Sequence, residues 1–289
     1  MTRRPAPWVP LSLSLSLSVA LSVGCDDNLT HPERDAYDGE GLPPLLCVPN
    51  LDGRIDAEEL EAVLGVPVSY LISPPSETRT IDLVGGIGPD GRQFWDWGAD
   101  YASDQVLEVE ATEVAGKWYA SSFPTGEFVT PLDAAGTSEA VYRHEDTGLY
   151  LLGMASKEES PAAGQTLLVY SSPVLVYRFP LVPGDRWVSV GEVVGGTLRG
   201  LPYAGRDTYE VEVAGAGRLV LPDLEFSQAM LVQVRTVVEP AAGASVSQRQ
   251  ASFVFECFGE VARAVSRPEE SSANFTTAQE VRRYGLGLD

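Results

Sequence analysis

From Val66 onward the chain runs in short apolar segments rich in Val, Tyr, Phe, Leu and Thr, broken at intervals by Gly, Pro, Asp and Ser clusters. That is the pattern of antiparallel strands joined by turns. Tyr209, Val211 and Val213 alternate with Glu210 and Glu212, so this stretch has one apolar and one charged face. Ala214-Gly-Ala-Gly217 then reads as a turn into Arg218–Leu221, and the pair predicts a hairpin. Met230–Val238 alternates in the same way, and Thr166–Tyr170 less cleanly. Roughly a dozen or more such segments lie between residues 66 and 266. They predict a mainly β fold: a large curved antiparallel sheet, half-barrel or sandwich, in a single domain over residues 46–289.

Two short helices are expected beside it. In Asp56-Ala-Glu-Glu-Leu-Glu-Ala-Val-Leu64, Asp56 suits an N-cap, Glu59 completes a capping box, and Leu60, Val63 and Leu64 form an apolar stripe ahead of Gly65. This predicts a helix over 56–64. Thr277-Ala-Gln-Glu280 repeats the capping-box pattern and predicts a short C-terminal helix before Gly285, lying over an open sheet edge or end.

The first residues read differently. Met1-Thr-Arg-Arg4 is followed by an uncharged run from Leu11 to Gly24, a basic n-region and apolar h-region too short for the roughly 20 residues of a membrane-spanning helix. Cys25 follows Leu21-Ser22-Val23-Gly24, which looks like a lipobox in which Ser22 stands where a Leu is usual. Cleavage after Gly24 by an ordinary signal peptidase is the alternative. The expectation is a lipoprotein signal peptide over 1–24, a membrane anchor through lipid, palmitate included, on Cys25, and a polar, acidic tether over 25–45. Asp26 after the anchor retains lipoproteins at the inner membrane in some bacteria and serves surface export in others. The reading places the protein in the cell envelope, at the outer rather than the inner membrane.

Cysteine count bears on the same point. Of Cys25, Cys47 and Cys257, lipidation of the first leaves Cys47 and Cys257 to form a disulfide in an oxidising compartment. Cys257 shares a strand face with Phe253 and Phe255, so a buried free thiol is the competing reading. The chain carries 20 basic and 41 acidic residues, a formal charge of −21, and loss of Arg3 and Arg4 with the signal peptide makes it more negative. Nucleic acid is therefore not an expected partner.

Acidic surplus makes divalent cations thinkable, and one segment has chelating offsets. Asn50, Asp52, Gly53, Asp56 and Glu59 fall at the third, fifth, sixth, ninth and twelfth positions of an EF-hand loop, but Val48 stands at the first and no helix enters. Calcium held by Asn50, Asp52, Asp56 and Glu59 is one reading; a turn capped by Asp56 and fixed by Cys47 is the other. Gly86-Ile-Gly88-Pro-Asp-Gly91 spells a dinucleotide fingerprint with no helix to follow, and is read as a Pro-Asp-Gly hairpin turn. Phe94–Asp104 mixes aromatics with Asp96 and Asp100, fit for a sugar-stacking or cation-binding loop and equally for core packing. Only His31 and His144 are present, which disfavours a histidine zinc site. Gly136-Thr-Ser138-Glu-Ala140 lacks the second Gly of a nucleophile elbow. No catalytic residues stand out.

Four stretches resemble a family of bacterial lipoproteins of no established activity: Cys47-Val-Pro-Asn-Leu-Asp-Gly53, Gly116-Lys-Trp-Tyr119, Val176-Tyr-Arg-Phe-Pro-Leu-Val-Pro-Gly-Asp-Arg-Trp187 and Phe255-Glu-Cys-Phe-Gly-Glu-Val-Ala-Arg263. That resemblance spans Cys47 to the C-terminus and implies no site residues. Residues 179–187 also look, more loosely, like part of the half-barrels of periplasmic lipoprotein carriers. The function expected is a non-enzymatic module for an apolar ligand on the concave face of the sheet. A calcium-stabilised structural or surface-interaction protein is the alternative, and a hydrolase of envelope polymers the third.

Overall fold

The computed structural model describes residues 46–286; the predicted signal peptide, Cys25 and the tether lie outside the described residues. The chain forms β1 (Pro67–Ile72), β2 (Arg79–Thr80), β3 (Gly86–Ile87), β4 (Gln93–Asp96), β5 (Gln105–Glu110), β6 (Thr112–Glu113), β7 (Phe128–Pro131), β8 (Ser138–Glu145), β9 (Gly148–Ser156), β10 (Leu167–Arg178), β11 (Arg186–Leu198), β12 (Leu201–Val220), β13 (Glu225–Pro240), β14 (Val246–Phe255), β15 (Gly259–Ser266) and β16 (Thr277–Tyr284). All belong to one 16-stranded sheet, whose main path runs β5-β1-β16-β15-β14-β13-β12-β11-β10-β9-β8-β7-β6. Pairing along that path is antiparallel; only β4, beside the end of β12, is parallel to its neighbour.

The two ends of the path, β5 and β6, are separated in the chain by Ala111 alone. Residues 105–110 pair with β1 and residues 112–113 with β7. One stretch of backbone thus serves both edges, and the sheet nearly closes on itself. Closure removes the exposed edges that would otherwise invite pairing with another chain.

A closed sheet has an inner and an outer face, and its longest strands are apolar on both. On β13, Ala229 and Leu231 face outward into a cluster with Trp95, Trp97, Phe253 and Val281, whereas Met230 and Val232 face inward with Val211, Val213 and Val254. Residues 81–97 lie over the outer face of β12–β16. A second segment, with Tyr119 and Phe123, covers the outer face of β7–β10 through Val129, Val141 and Leu152. Where neither reaches, β11–β13 carry outward ion pairs: Arg186 to Glu212, Arg206 to Glu192 and Arg235 to Glu210. Among the described residues no helix is long and apolar enough to cross a membrane.

One end of the ring is closed by the N-terminal segment. Ile55, Ala57 and Leu60 pack on Phe179, Leu181 and the inner residues of β12–β14, and Ile55 and Leu181 exchange backbone hydrogen bonds of 3.1 and 2.8 Å. Cys47 and Cys257 are joined in a disulfide across 210 residues, with Cα atoms 5.5 Å apart. The pairing expected from the cysteine count is present.

Both expected helices are corrected. Only Ala57–Leu60 is helical, as a 3-10 turn, and Glu61 is already extended. The capping Glu59 does bond back to the Asp56 N–H, at 2.9 Å. Val63 and Leu64 are exposed and only Leu60 of the apolar stripe packs on the core, and a helix this short has little stability of its own. Residues 277–284 form β16, not a helix. They bridge β15 and β1, and their alternation is read at period two: Val281 and Arg283 outward, Glu280 and Arg282 inward. The Gly pair at 215 and 217 also makes no hairpin, because β12 continues through it to Val220. A Cβ on Gly217 would lie 2.4 Å from the Gln93 carbonyl oxygen, so this glycine admits the close approach of β4 instead of a turn. The Pro-Asp-Gly turn does form: the Gly88 N–H bonds the Arg92 carbonyl at 2.8 Å and Gly91 has φ +77°.

Candidate functional site

Polar and aromatic side chains from strands on opposite sides of the ring meet on the inner face. Directly opposed residues of paired strands share a face, so the pairs Ser252–Arg263, Arg263–Arg282 and Ile72–Arg282 run one row across β14, β15, β16 and β1. From the far side of the ring come Tyr142 on β8 and Tyr177 on β10. The charges of Glu260 and Arg263 reach both hydroxyls, and burial together with Glu260 pushes each phenol up, so both stay protonated donors.

The two inner arginines are held unequally. Arg263 donates from Nη2 to Glu280 at 3.0 Å and stands 3.7 Å from Glu260. Glu260 in turn accepts the Ser252 hydroxyl at 2.7 Å, and its backbone carbonyl accepts the Tyr70 hydroxyl at 2.7 Å. Arg282 is 4% exposed. Its guanidinium lies 5.5 Å over the Tyr70 ring and no nearer than 3.7 Å to Glu280. Its Nε and Nη2 are buried with no hydrogen-bond partner, as is Nε of Arg263. Burial first, then the Arg263 charge, lowers the Arg282 pKa from its ordinary value.

A second inner group is Asp207 on β12, 6% exposed. One oxygen accepts the Tyr170 hydroxyl at 2.6 Å, and that hydroxyl also lies 3.1 Å from Tyr209. The other oxygen is buried without a partner. Burial raises its pKa, and the Tyr170 bond only partly offsets this. Around these groups Tyr142, Tyr177, Tyr209, Leu149, Met154, Val176 and Val234 are partly, not fully, buried.

The residues singled out in the sequence lie elsewhere. Asn50, Asp52, Asp56 and Glu59 do come together, in the loop beside the disulfide. Their oxygens are engaged by protein donors: Glu59 by the Asn50 amide at 2.6 Å and the Asp56 N–H at 2.9 Å, Asp52 by the Arg54 N–H at 3.1 Å, and Asp56 by the Arg54 side chain at 2.8 Å. Glu256 holds the same loop by accepting the Asn50 and Leu51 N–H groups at 2.6 and 2.9 Å. Among the described residues no group of three or more acid, His or Cys side chains is placed to hold a metal ion. Asp96 and Asp100 are exposed on the outer cover, while Trp95 and Trp97 are buried core. The Ser138 N–H is tied to Asp133 at 2.9 Å, which makes this segment a turn.

Arg263 and Arg282 escaped the sequence reading, although a signal existed. Glu280 and Arg282 alternate with Val281 and Arg283, and a strand reading would have put two charges on one face of a doubly buried strand. No family model matches this chain, and no curated protein or solved structure matches it either.

Proposed function

We propose that this protein is a cell-envelope lipoprotein, anchored by lipid at Cys25, that holds an apolar ligand without chemistry on the inner face of its closed sheet. The observation carrying the reading is the incomplete burial of Tyr142, Tyr177, Tyr209, Leu149, Met154, Val176 and Val234, which face inward in a ring of strands. A solidly packed interior would bury them as completely as the outer cover buries Phe253 and Leu219. Aromatic and aliphatic walls with a few convergent polar groups are the usual make-up of a small-molecule site. Covering roughly 400 Å² of apolar surface is worth on the order of 10 kcal/mol before the cost of association. The disulfide suits an oxidising compartment, as the anchor requires.

Native mass spectrometry of protein gently purified from its own membranes tests both halves. The expected spectrum has acyl mass on Cys25 and a further lipid-sized adduct on the cleaved soluble domain. A domain of bare polypeptide mass, with no uptake of an apolar fluorophore such as N-phenyl-1-naphthylamine, would refute the ligand reading. Unmodified Cys25 would refute the anchor.

A further inference from the structure

We infer that the ligand is a long-chain carboxylate whose head group sits at Arg282 and Arg263, an assignment that rests on the reading of the inner face as the ligand site. The sequence places two guanidinium groups directly opposite each other on neighbouring strands, where like charges destabilise a sheet. Their acids hydrogen-bond only one of them, although Glu280 also stands 3.7 Å from Arg282 as an ion pair without a hydrogen bond. Glu280 is hydrogen-bonded to Arg263, and Glu260 is taken by Ser252 and stands by Arg263.

Arg282 therefore keeps a buried guanidinium with two nitrogens lacking an acceptor, a costly state for a charged donor. A carboxylate matches the planar fork of such a group through two parallel hydrogen bonds. It would also stand between the two like charges that otherwise repel. The Tyr142 and Tyr177 hydroxyls, protonated at neutral pH, add donors that an anion uses and a cation does not.

The same geometry sets the direction of the chain. Ile55, Ala57, Phe179 and Leu181 fill one end of the ring, so the tail runs the other way, along Met154, Val176 and Tyr209. The outer recess of about 390 Å³ between β11 and β14 has no comparable claim. Of its three arginines, Arg186 and Arg235 are already paired to Glu212 and Glu210 in water, and Arg249 donates to the Glu270 and Ser271 carbonyls at 3.0 Å.

Fluorescence titration of delipidated protein tests the inference with three probes: cis-parinaric acid, its methyl ester, and uncharged N-phenyl-1-naphthylamine. Wild type is expected to bind the acid at least tenfold more tightly than the ester. Arg282→Met should remove that preference, read as the ratio of acid to ester affinity within the variant, and Arg282→Lys should restore part of it. Equal affinity of wild type for acid and ester, or an acid preference that survives in Arg282→Met, overturns the head-group assignment while the apolar-ligand reading stands. If no probe binds wild type, that reading fails and the assignment falls with it. The acid and ester comparison on wild type decides the matter even if Arg282→Met does not fold.

Discussion

Arg282 and Arg283 are neighbours in β16 and point to opposite faces of the same sheet. Arg283, outward and 2% exposed, donates to the Trp97 and Ala99 carbonyls and to Asp104, the last at 2.6 Å. Arg282, inward and nearly as buried, donates no hydrogen bond among the described residues and shares its row with a second cation. The outer layer is the better bonded: under the cover of residues 81–104 Arg283 leaves only its Nε buried without a partner, while both of its terminal nitrogens donate. The inner layer is left with donors and partly buried aromatics. On the proposed reading, stability and recognition are divided between the two faces of one strand, the better-bonded outer face serving as the rigid support of a binding wall.

The comparison is broken most severely from the outer side. Phe253 is 0% exposed and lies edge-on between Trp95 and Trp97, with ring centroids 5.0 and 5.1 Å away. Phe253→Ala is expected to cost about 3–5 kcal/mol, read as a lower urea midpoint with an unchanged slope. A loss near zero would mean that the outer cover is not the stabilising core.

Next comes the closed end. Replacing both Cys47 and Cys257 by Ser releases a loop of 210 residues and is expected to cost about 2–5 kcal/mol. Calcium and a chelator should leave the melting temperature of wild type and variant alike, because Arg54 and backbone N–H groups already hold the loop carboxylates. A calcium-dependent rise would restore the metal reading of Asn50, Asp52, Asp56 and Glu59.

Arg282→Met should change stability by no more than about 1 kcal/mol in either direction, since a buried cation that makes an ion pair but no hydrogen bond gives up little when replaced by an apolar chain of similar length. Arg283→Met should cost several times more, about 3–5 kcal/mol, because Asp104 and two carbonyls lose their donor. Equal losses for the two variants would erase the distinction between the faces.

How much of this was legible in the sequence follows from which forces act locally. Alternation marked β10, β12 and β13, because a strand with one wet face writes its burial at period two; the Pro-Asp-Gly turn was legible for an equally local reason, and the cysteine pair from the cysteine count alone. Closure was not. It depends on residues 105–113 serving both edges, a long-range fact with no local signature. Thr277–Glu280 fits a capping box by composition, yet the gap between β15 and β1 makes it a strand, so tertiary pairing overrides the local pattern. The Gly pair at 215 and 217 misled for a related reason: a glycine that admits a neighbouring backbone looks the same as one that turns. Arg282 was hidden by the helix reading, since a helix at 277–284 puts Glu280 and Arg282 on no common face.

The smallest effect is the most specific to the inner face. Asp207 is buried, and its pKa stands above the ordinary carboxylate value because burial outweighs the Tyr170 hydrogen bond. The folded protein therefore binds this proton more tightly than the unfolded chain does, and folding stability from this group rises as pH falls. That contribution is fully present below the unfolded pKa, near about 4, and is lost as pH rises through the higher folded value. Asp207→Asn keeps an acceptor for Tyr170 and carries no charge at any pH. It should stabilise the protein at pH 7 and match wild type near pH 3, with the difference measured as urea midpoints at the two pH values. A gain of equal size at both would trace the effect to packing rather than to charge. A loss at pH 7 would show that the Asp207 carboxylate is wanted in its ionised form, which would make the far end of the ring a polar site in its own right rather than the place where an apolar tail comes to rest.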